Sequence, residues 1–300
     1  NGNFVDEDIR FKFIDDLTFL EVVNLLSIGI SSYNVKAHIP NDVPSSNGFI
    51  HSEDLKSQDY INDITEWTSK QKMKLNSKKS QLMIFNFTND NQFTTRVQMD
   101  NQILPVVNKT KLLGTIITKD LKWSENTSFL VKKANGRLQL LRRACNYTKS
   151  TADLKSIYLS HVRNTLEQSC AIWHSNLTEE NKSDLERVQK NACRIILGSQ
   201  YVDYEDSLKR LNLETLPQRR EKLALNFAIN CTENEKTKKL FPLKRKKHRN
   251  KEKYKIIFAK TKRLSDSAVP YLQRLLNKFE RKQKDNDKKE EKKVNKNKSL

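Results

Sequence analysis

Residues 9–19 read Ile-Arg-Phe-Lys-Phe-Ile-Asp-Asp-Leu-Thr-Phe. Ile9, Phe11 and Phe13 fall on one side of an extended chain and Arg10 and Lys12 on the other, because side chains alternate with period two along a pleat. Asp15-Asp16 interrupts that alternation and Leu17-Thr18-Phe19 resumes it. The reading is a strand, a tight acidic turn and a second strand, since Asp is tolerated where a chain reverses. Paired carboxylates on such a turn offer hard oxygen donors of the kind that hold divalent metal for nucleotidyl transfer. Paired acids also cap turns in proteins without chemistry.

Working outward, residues 28–50 carry Gly29, Pro40, Pro44 and Gly48 and read as a loop. Ser52 is placed to cap a helix in which Leu55, Ile61, Ile64 and Trp67 recur at helical spacing, with Glu53 and Asp54 in its first turn. Strand patterns follow at Gln81 to Phe87, Thr94 to Met99 and Ile103 to Val107, the last two joined across Asp100-Asn101. Leu112 to Ile117 reads as one more strand, with Gly114 marking a bend or a close approach. From Ser124 the periodicity changes to that of amphipathic helices. Leu130, Ala134, Leu138, Leu141 and Cys145 mark one stripe; Leu154, Ile157, Tyr158, His161, Val162 and Leu166 mark another. Leu185, Val188, Ala192, Ile195 and Ile196 mark a third, and Pro217 starts a helix carrying Leu223, Ala224, Phe227, Ala228 and Cys231. The fold class expected is α+β.

Of the 300 residues, 36% are apolar and 31% charged, which is enough to build cores and excludes a wholly disordered chain. No apolar run reaches the roughly 18 residues of a membrane span, and the first residues lack a secretory leader's pattern, so an intracellular protein, cytoplasmic or nuclear, is expected. A chain that opens on Asn1 and at once alternates also reads as cut from something longer. The formal charge is +20, unevenly spread: residues 231–300 hold 25 basic and 9 acidic side chains, and residues 1–230 hold 31 and 27. Such a block attracts phosphate backbones, or with less force anionic lipid, through counterion release and long-range attraction, or serves only to keep a chain soluble. Cys145, Cys170, Cys193 and Cys231 show no zinc-ligand spacing and most fall in helical apolar stripes, so they read as buried, reduced thiols.

The order of these segments resembles the reverse transcriptases of non-LTR retrotransposons of the LINE-like, jockey type. Phe13-Ile14-Asp15-Asp16 is similar to the family's aromatic-x-Asp-Asp motif. Trp67, Met73-Lys74-Leu75-Asn76 and Lys79-Ser80 resemble its helix and its W…M-x-L-N and N-x-x-K-[ST] steps. Lys111-Leu112-Leu113-Gly114 with Leu121-Lys122-Trp123 resembles its K-x-L-G…L-x-W stretch. Tyr158, Val162, Leu166-Glu167 and Trp173 resemble the Y…V…L-E…W helices. Leu185-Glu186, Gln189 and Arg194-Ile195-Ile196-Leu197-Gly198 resemble the L-E-x-x-Q…R-I-I-x-G helix of the thumb region. Leu216, Arg219-Arg220 and Ser267-Ala268-Val269-Pro270-Tyr271, ending at Leu276-Asn277, look like the tail of such polyproteins.

That resemblance implies an RNA-directed DNA polymerase fragment. Its parts would be the C-terminal end of a palm (1–120), a helical thumb-like domain (121–232), a basic extension with a short helix (233–280) and a disordered Lys-rich tail (281–300). Asp15 and Asp16 would hold Mg²⁺, Lys79 would protonate the leaving pyrophosphate, and Leu113-Gly114 would shape a primer grip through the backbone. Lys79 could equally be an ordinary solvated lysine beside Lys78, and Gly114 a glycine in a core strand. The partners implied are an RNA template, a DNA primer, deoxynucleotides and the upstream part of the parent polyprotein, with no membrane. The family's remaining metal-binding Asp, its fingers, nucleotide-selecting loop and endonuclease would precede Asn1, so the chain alone is expected to be inactive. Asp6 and Asp8 lack a strand pattern to replace that Asp, and the five His are scattered without nuclease spacing.

Read from the residues, Lys244-Arg245-Lys246-Lys247-His248-Arg249 is a nucleic-acid contact, a nuclear-import address or solvated surface. Arg142-Arg143 and Arg219-Arg220 are either phosphate contacts or ordinary helix surface. Two further readings stand beside the polymerase: a nucleic-acid-binding remnant without catalysis, and a helical interaction protein in which Asp15-Asp16 is only a turn.

Overall fold

The computed structural model describes residues 10–12, 17–19, 56–73, 75–85, 96–244 and 252–297. Contacts divide the chain into two units, Asn1–Thr110 with Thr118–Leu121, and Lys111–Ile117 with Lys122–Leu300.

In the first unit, β1 (Arg10–Lys12) and β2 (Leu17–Phe19) pair antiparallel in the register Arg10↔Phe19, Phe11↔Thr18, Lys12↔Leu17. The four residues between them, Asp15 and Asp16 included, lie outside the described residues, as does the expected cap at Ser52. Helix α1 (Lys56–Lys70) turns Ile61 toward a small cluster of Val97, Met99, Leu104, Leu75 and Leu82. Its Gln58 amide donates to Gln98 O (3.0 Å) and accepts from Gln98 N (2.8 Å), pairing with β3 (Gln98–Met99) as a neighbouring strand would. β3 and β4 (Gln102–Ile103) form a hairpin across Asp100 and Asn101, whose φ of 48° and 59° suit a two-residue turn of the kind that follows strand twist. The Gln81–Phe87 strand expected from alternation is reduced to a parallel bridge between Leu82 and Val106, with 86 and 87 outside the described residues.

The expected single strand Leu112–Ile117 is instead a hairpin, β5 (Lys109–Leu112) and β6 (Thr115–Thr118). Leu113 (φ 47°) and Gly114 (φ 84°) both take left-handed backbone, which reverses the chain where a strand would continue.

The second unit is helical. Helix α2 (Ser124–Ala144) buries Leu130, Ala134, Leu138 and Leu141, the stripe read from sequence. The segment after it runs as α3 (Thr151–Ile157), a π-helical stretch (Tyr158–Arg163) and α4 (Asn164–Glu167), with Leu154, Tyr158, Val162 and Leu166 all inside. Gln168 (ψ 122°) and Ser169 (φ 53°) break the helix before α5 (Cys170–Trp173). Helix α6 (Glu179–Leu197) packs along α2, capped by Thr178, whose hydroxyl accepts from Asn181 N (3.2 Å).

Helix α7 (Tyr204–Arg210) leads to α8 (Leu216–Glu233), which opens with a capping box between Thr215 and Gln218 and carries Pro217 in its first turn. A buried polar chain ties these helices. Tyr158 OH donates to Gln189 Oε1 (2.5 Å), and Gln189 Nε2 donates to Tyr204 OH (2.8 Å) and Glu214 O (2.9 Å). Four-residue α9 (Lys262–Ser265) is followed by α10 (Ala268–Asn297), whose Leu272, Leu275 and Leu276 join Ala224, Ala228 and Cys231 of α8 in a second apolar cluster. The extension after residue 233 thus belongs to the same unit as the helices before it. Where composition predicts a disordered tail from 281, the backbone stays helical to Asn297; residues 281–297 hold seven Lys, a good helix former, and no Gly or Pro. Among the described residues no helix is long and apolar enough to cross a membrane.

All four cysteines are free thiols; Cys170, Cys193 and Cys231 are buried and Cys145 half-buried, as their place in apolar stripes implied. Burial pushes the Cys170 thiol up to about 11 and the Cys193 thiol up to about 12.

Candidate nucleic-acid interface

Lys79 ends a short 3-10 turn (Ser77–Lys79) set up by Asn76, whose carbonyl accepts from Lys79 N (3.0 Å) and Ser80 N (3.1 Å). Its ammonium is exposed. Among the described residues, no hydrogen bond or ion pair joins the Lys79 side chain to the other residues the sequence singled out, and its contact with Asn76 is through the backbone alone.

The tip at Leu113-Gly114 is held more firmly than sequence suggested. Gln168, freed from helical geometry by the break at 168–169, donates from Nε2 to Leu113 O (3.2 Å). A Cβ at Gly114 would overlap that same Nε2, so the glycine is needed both for its φ and for the close approach. Trp173 Nε1 donates to Gln168 O (3.0 Å) and anchors the break. Asn126 Oδ1 accepts from Ile116 N (3.0 Å), tying β6 to the first turn of α2. Leu113 stays 47% exposed at the end of this braced loop, and Lys111 lies over the Phe129 ring at 4.8 Å. Gln168 and Asn126 carry the geometry of the tip, and nothing in the sequence pattern around them marked either one.

Arg142 and Arg143 sit exposed in the last turn of α2, where cations also complement the helix dipole. Arg219-Arg220 does not face outward as a pair, a correction to both readings of it. Glu167 accepts from Arg219 Nε and lies within 3.3 Å of Arg163 Nε as well, its side chain 11% exposed. Arg220 is wholly buried: its guanidinium covers the Trp173 ring at 5.6 Å and its Nε donates to His174 Nδ1 (3.3 Å). One residue's step of about 100° around α8 sends neighbouring guanidiniums to different environments. His174 lines a cleft of about 310 Å³ with Lys182, Glu221 and Tyr271. Burial, then the Arg220 and Lys182 cations, bring its imidazole down from 6.5 to about 4, so it is neutral near pH 7.

No family model, curated protein or solved structure matches the chain.

Of the basic run, Lys244 is described: its Nζ pairs with Glu252 (2.6 Å) and its N donates to Lys253 O (3.0 Å). Leu243 and Tyr254 form an antiparallel bridge beside it, so the chain entering and leaving 245–251 is fastened together. Arg245, Lys246, Lys247 and Arg249 lie outside the described residues. Among the described residues no three His, Cys, Asp or Glu side chains gather as a metal-binding group.

Proposed function

We propose that this chain is the C-terminal part of an RNA-directed DNA polymerase of the non-LTR retrotransposon type: the end of a palm, a helical thumb-like region and a basic extension. The observation that carries the reading is the antiparallel pairing of Arg10–Lys12 with Leu17–Phe19 on either side of Asp15-Asp16. A pair of acids between paired strands suits a metal-dependent nucleotidyl transfer site, and the resemblance of the ordered segments from Ile9 to Asn277 supports the family reading. Asp15 and Asp16 offer carboxylate oxygens, the donor type that Mg²⁺ prefers, and they would hold it. Bound there, Mg²⁺ would supply charge stabilisation for attack by a primer hydroxyl on a deoxynucleotide. Lys79 would donate a proton to the departing pyrophosphate. The braced tip at Leu113-Gly114 would bear on the primer through its backbone, and Arg142 and Arg143 on phosphates. The partners are an RNA template and a DNA primer, acting with the upstream part of the polyprotein.

The test has two arms. Primer extension by the chain joined to its upstream coding region, with Mg²⁺, is expected to fall by at least about a hundredfold on Asp15→Ala; unchanged extension in that variant would sink the assignment. The 300-residue chain alone is expected to bind primer–template but not extend it. A second reading, polynucleotide binding without catalysis, is favoured by one observation: residues 244–263 hold 11 basic side chains and one acid. It predicts a steep fall of affinity with salt, and no extension whether or not the upstream region is attached.

A further inference from the structure

Residues 253–258 form an extended strap that packs on α10 without joining a sheet of more than one bridge. Two buried amides, one turn apart on α10, fix its backbone. Asn277, 2% exposed, accepts at Oδ1 from Lys253 N (3.1 Å) and Tyr254 N (2.9 Å) and donates from Nδ2 to Tyr254 O (3.0 Å). Gln273, wholly buried, accepts from Ile257 N (2.8 Å) and donates to Leu240 O (2.7 Å). Lys255 N donates to Pro242 O (2.8 Å), and the Tyr254 side chain is buried as an anchor. Burying two amides is costly unless their polar atoms are satisfied, and here those contacts hold one short stretch of chain in a single conformation.

What that fixed stretch leads into is unusual. Phe258 is 83% exposed and Ile257 44%. From Lys253 to Leu264 the chain carries five cations and no acid; Lys253 pairs with Glu280 (2.6 Å), and Lys255, Lys260 and Lys262, all within four residues of Phe258, are exposed. An aromatic left in water beside ammoniums, on a backbone already ordered, has the features of a base-stacking platform: a ring for a base face, cations for the phosphates on either side, and little ordering cost on binding. We infer that the strap is a single-stranded polynucleotide site in which Phe258 stacks on an unpaired base. The inference rests on the nucleic-acid reading above and adds a place and a ligand form to it. Duplex bases are already stacked on one another, so the ring contributes only to single strands.

Fluorescence anisotropy of the whole chain with labelled oligo-dT, oligo-rU and a duplex tests this. Phe258→Ala is expected to weaken binding of single strands by about tenfold or more, with Phe258→Tyr close to wild type and duplex affinity changed less than about twofold. Comparing oligo-dT with oligo-rU tells which polynucleotide the site takes. Because the ring lies in solvent, both variants should melt with wild type. Wild-type binding that Phe258→Ala leaves untouched, or lowers equally for duplex, overturns the inference and leaves the proposed function standing. A chain that binds no polynucleotide overturns both. Loss of self-association in sedimentation with unchanged oligonucleotide affinity also overturns it, by assigning Phe258 to a contact between copies.

Discussion

Acidification from pH 7 to pH 4 should destabilise the helical unit through His174. The imidazole is 8% exposed, its Nδ1 accepts from Arg220 Nε at 3.3 Å, and the Tyr271 ring meets it edge-on at 6.3 Å. Lys182 opposes a proton there as Arg220 does, and Glu221 favours one more weakly. Folded, the group takes a proton only near pH 4; unfolded, it does so near 6.5. Between those values the unfolded chain binds more protons, so stability falls as pH falls and the loss levels off below about 4. Each tenfold change in proton affinity is worth about 1.4 kcal/mol, which makes the full effect about 3 kcal/mol. Urea unfolding followed by circular dichroism across this range measures it. His174→Asn keeps an acceptor for Arg220 and removes the titration, so its stability should lose about 3 kcal/mol less than wild type over the interval. Carboxylates titrate in both proteins and cancel. Parallel stability curves for the two would refute the argument.

Gly136 is exposed within α2, and a Cβ there would meet nothing within 4 Å, so Gly136→Ala should raise stability by about 0.5–1 kcal/mol, read as a higher urea midpoint. Gly114→Ala should do the reverse, costing about 1–3 kcal/mol, because a Cβ at φ 84° is strained and displaces Gln168 from Leu113 O. In the native state at pH 8, a thiol reagent should modify Cys145 first, with Cys170 and Cys193 reacting only on unfolding; equal rates for the three would contradict their burial and raised thiol affinities for protons.

Helix α2 was legible because its apolar spacing is unbroken, and Leu130, Ala134, Leu138 and Leu141 are all inside, whereas His161 and Phe227, read into later stripes, are exposed. The β5–β6 hairpin was not, since Leu113-Gly114 lacks the paired Asp and Asn side chains that made the Asp100-Asn101 turn readable. Arg220 looked like surface because a charged residue on an amphipathic helix is usually solvated, and only tertiary packing on Trp173 decides otherwise. Gln189, Gln273 and Asn277 left a trace that could have been used, a polar side chain at a stripe position where the period demands an apolar one. Of the candidate site, the two acids, the lysine and the arginines were chosen by residue type and order. Gln168, Asn126 and the α10 amides act through geometry, which residue type does not reveal.

The π-helical stretch at Tyr158–Arg163 bears on how this segment tolerates changes of length. Leu154, Tyr158, Val162, Leu166 and Cys170 recur at every fourth residue, and all are buried. A regular α-helix advances about 400° in four residues, so each step would overshoot a full turn by about 40° and the row would wander off the core face. The wider turn takes up that surplus as a spare residue would. Deleting one residue between Tyr158 and Arg163 should therefore be tolerated: five residues at about 100° each advance about as far as six in the wider turn, so Leu166 keeps its seat and Gln168 its hold on the loop.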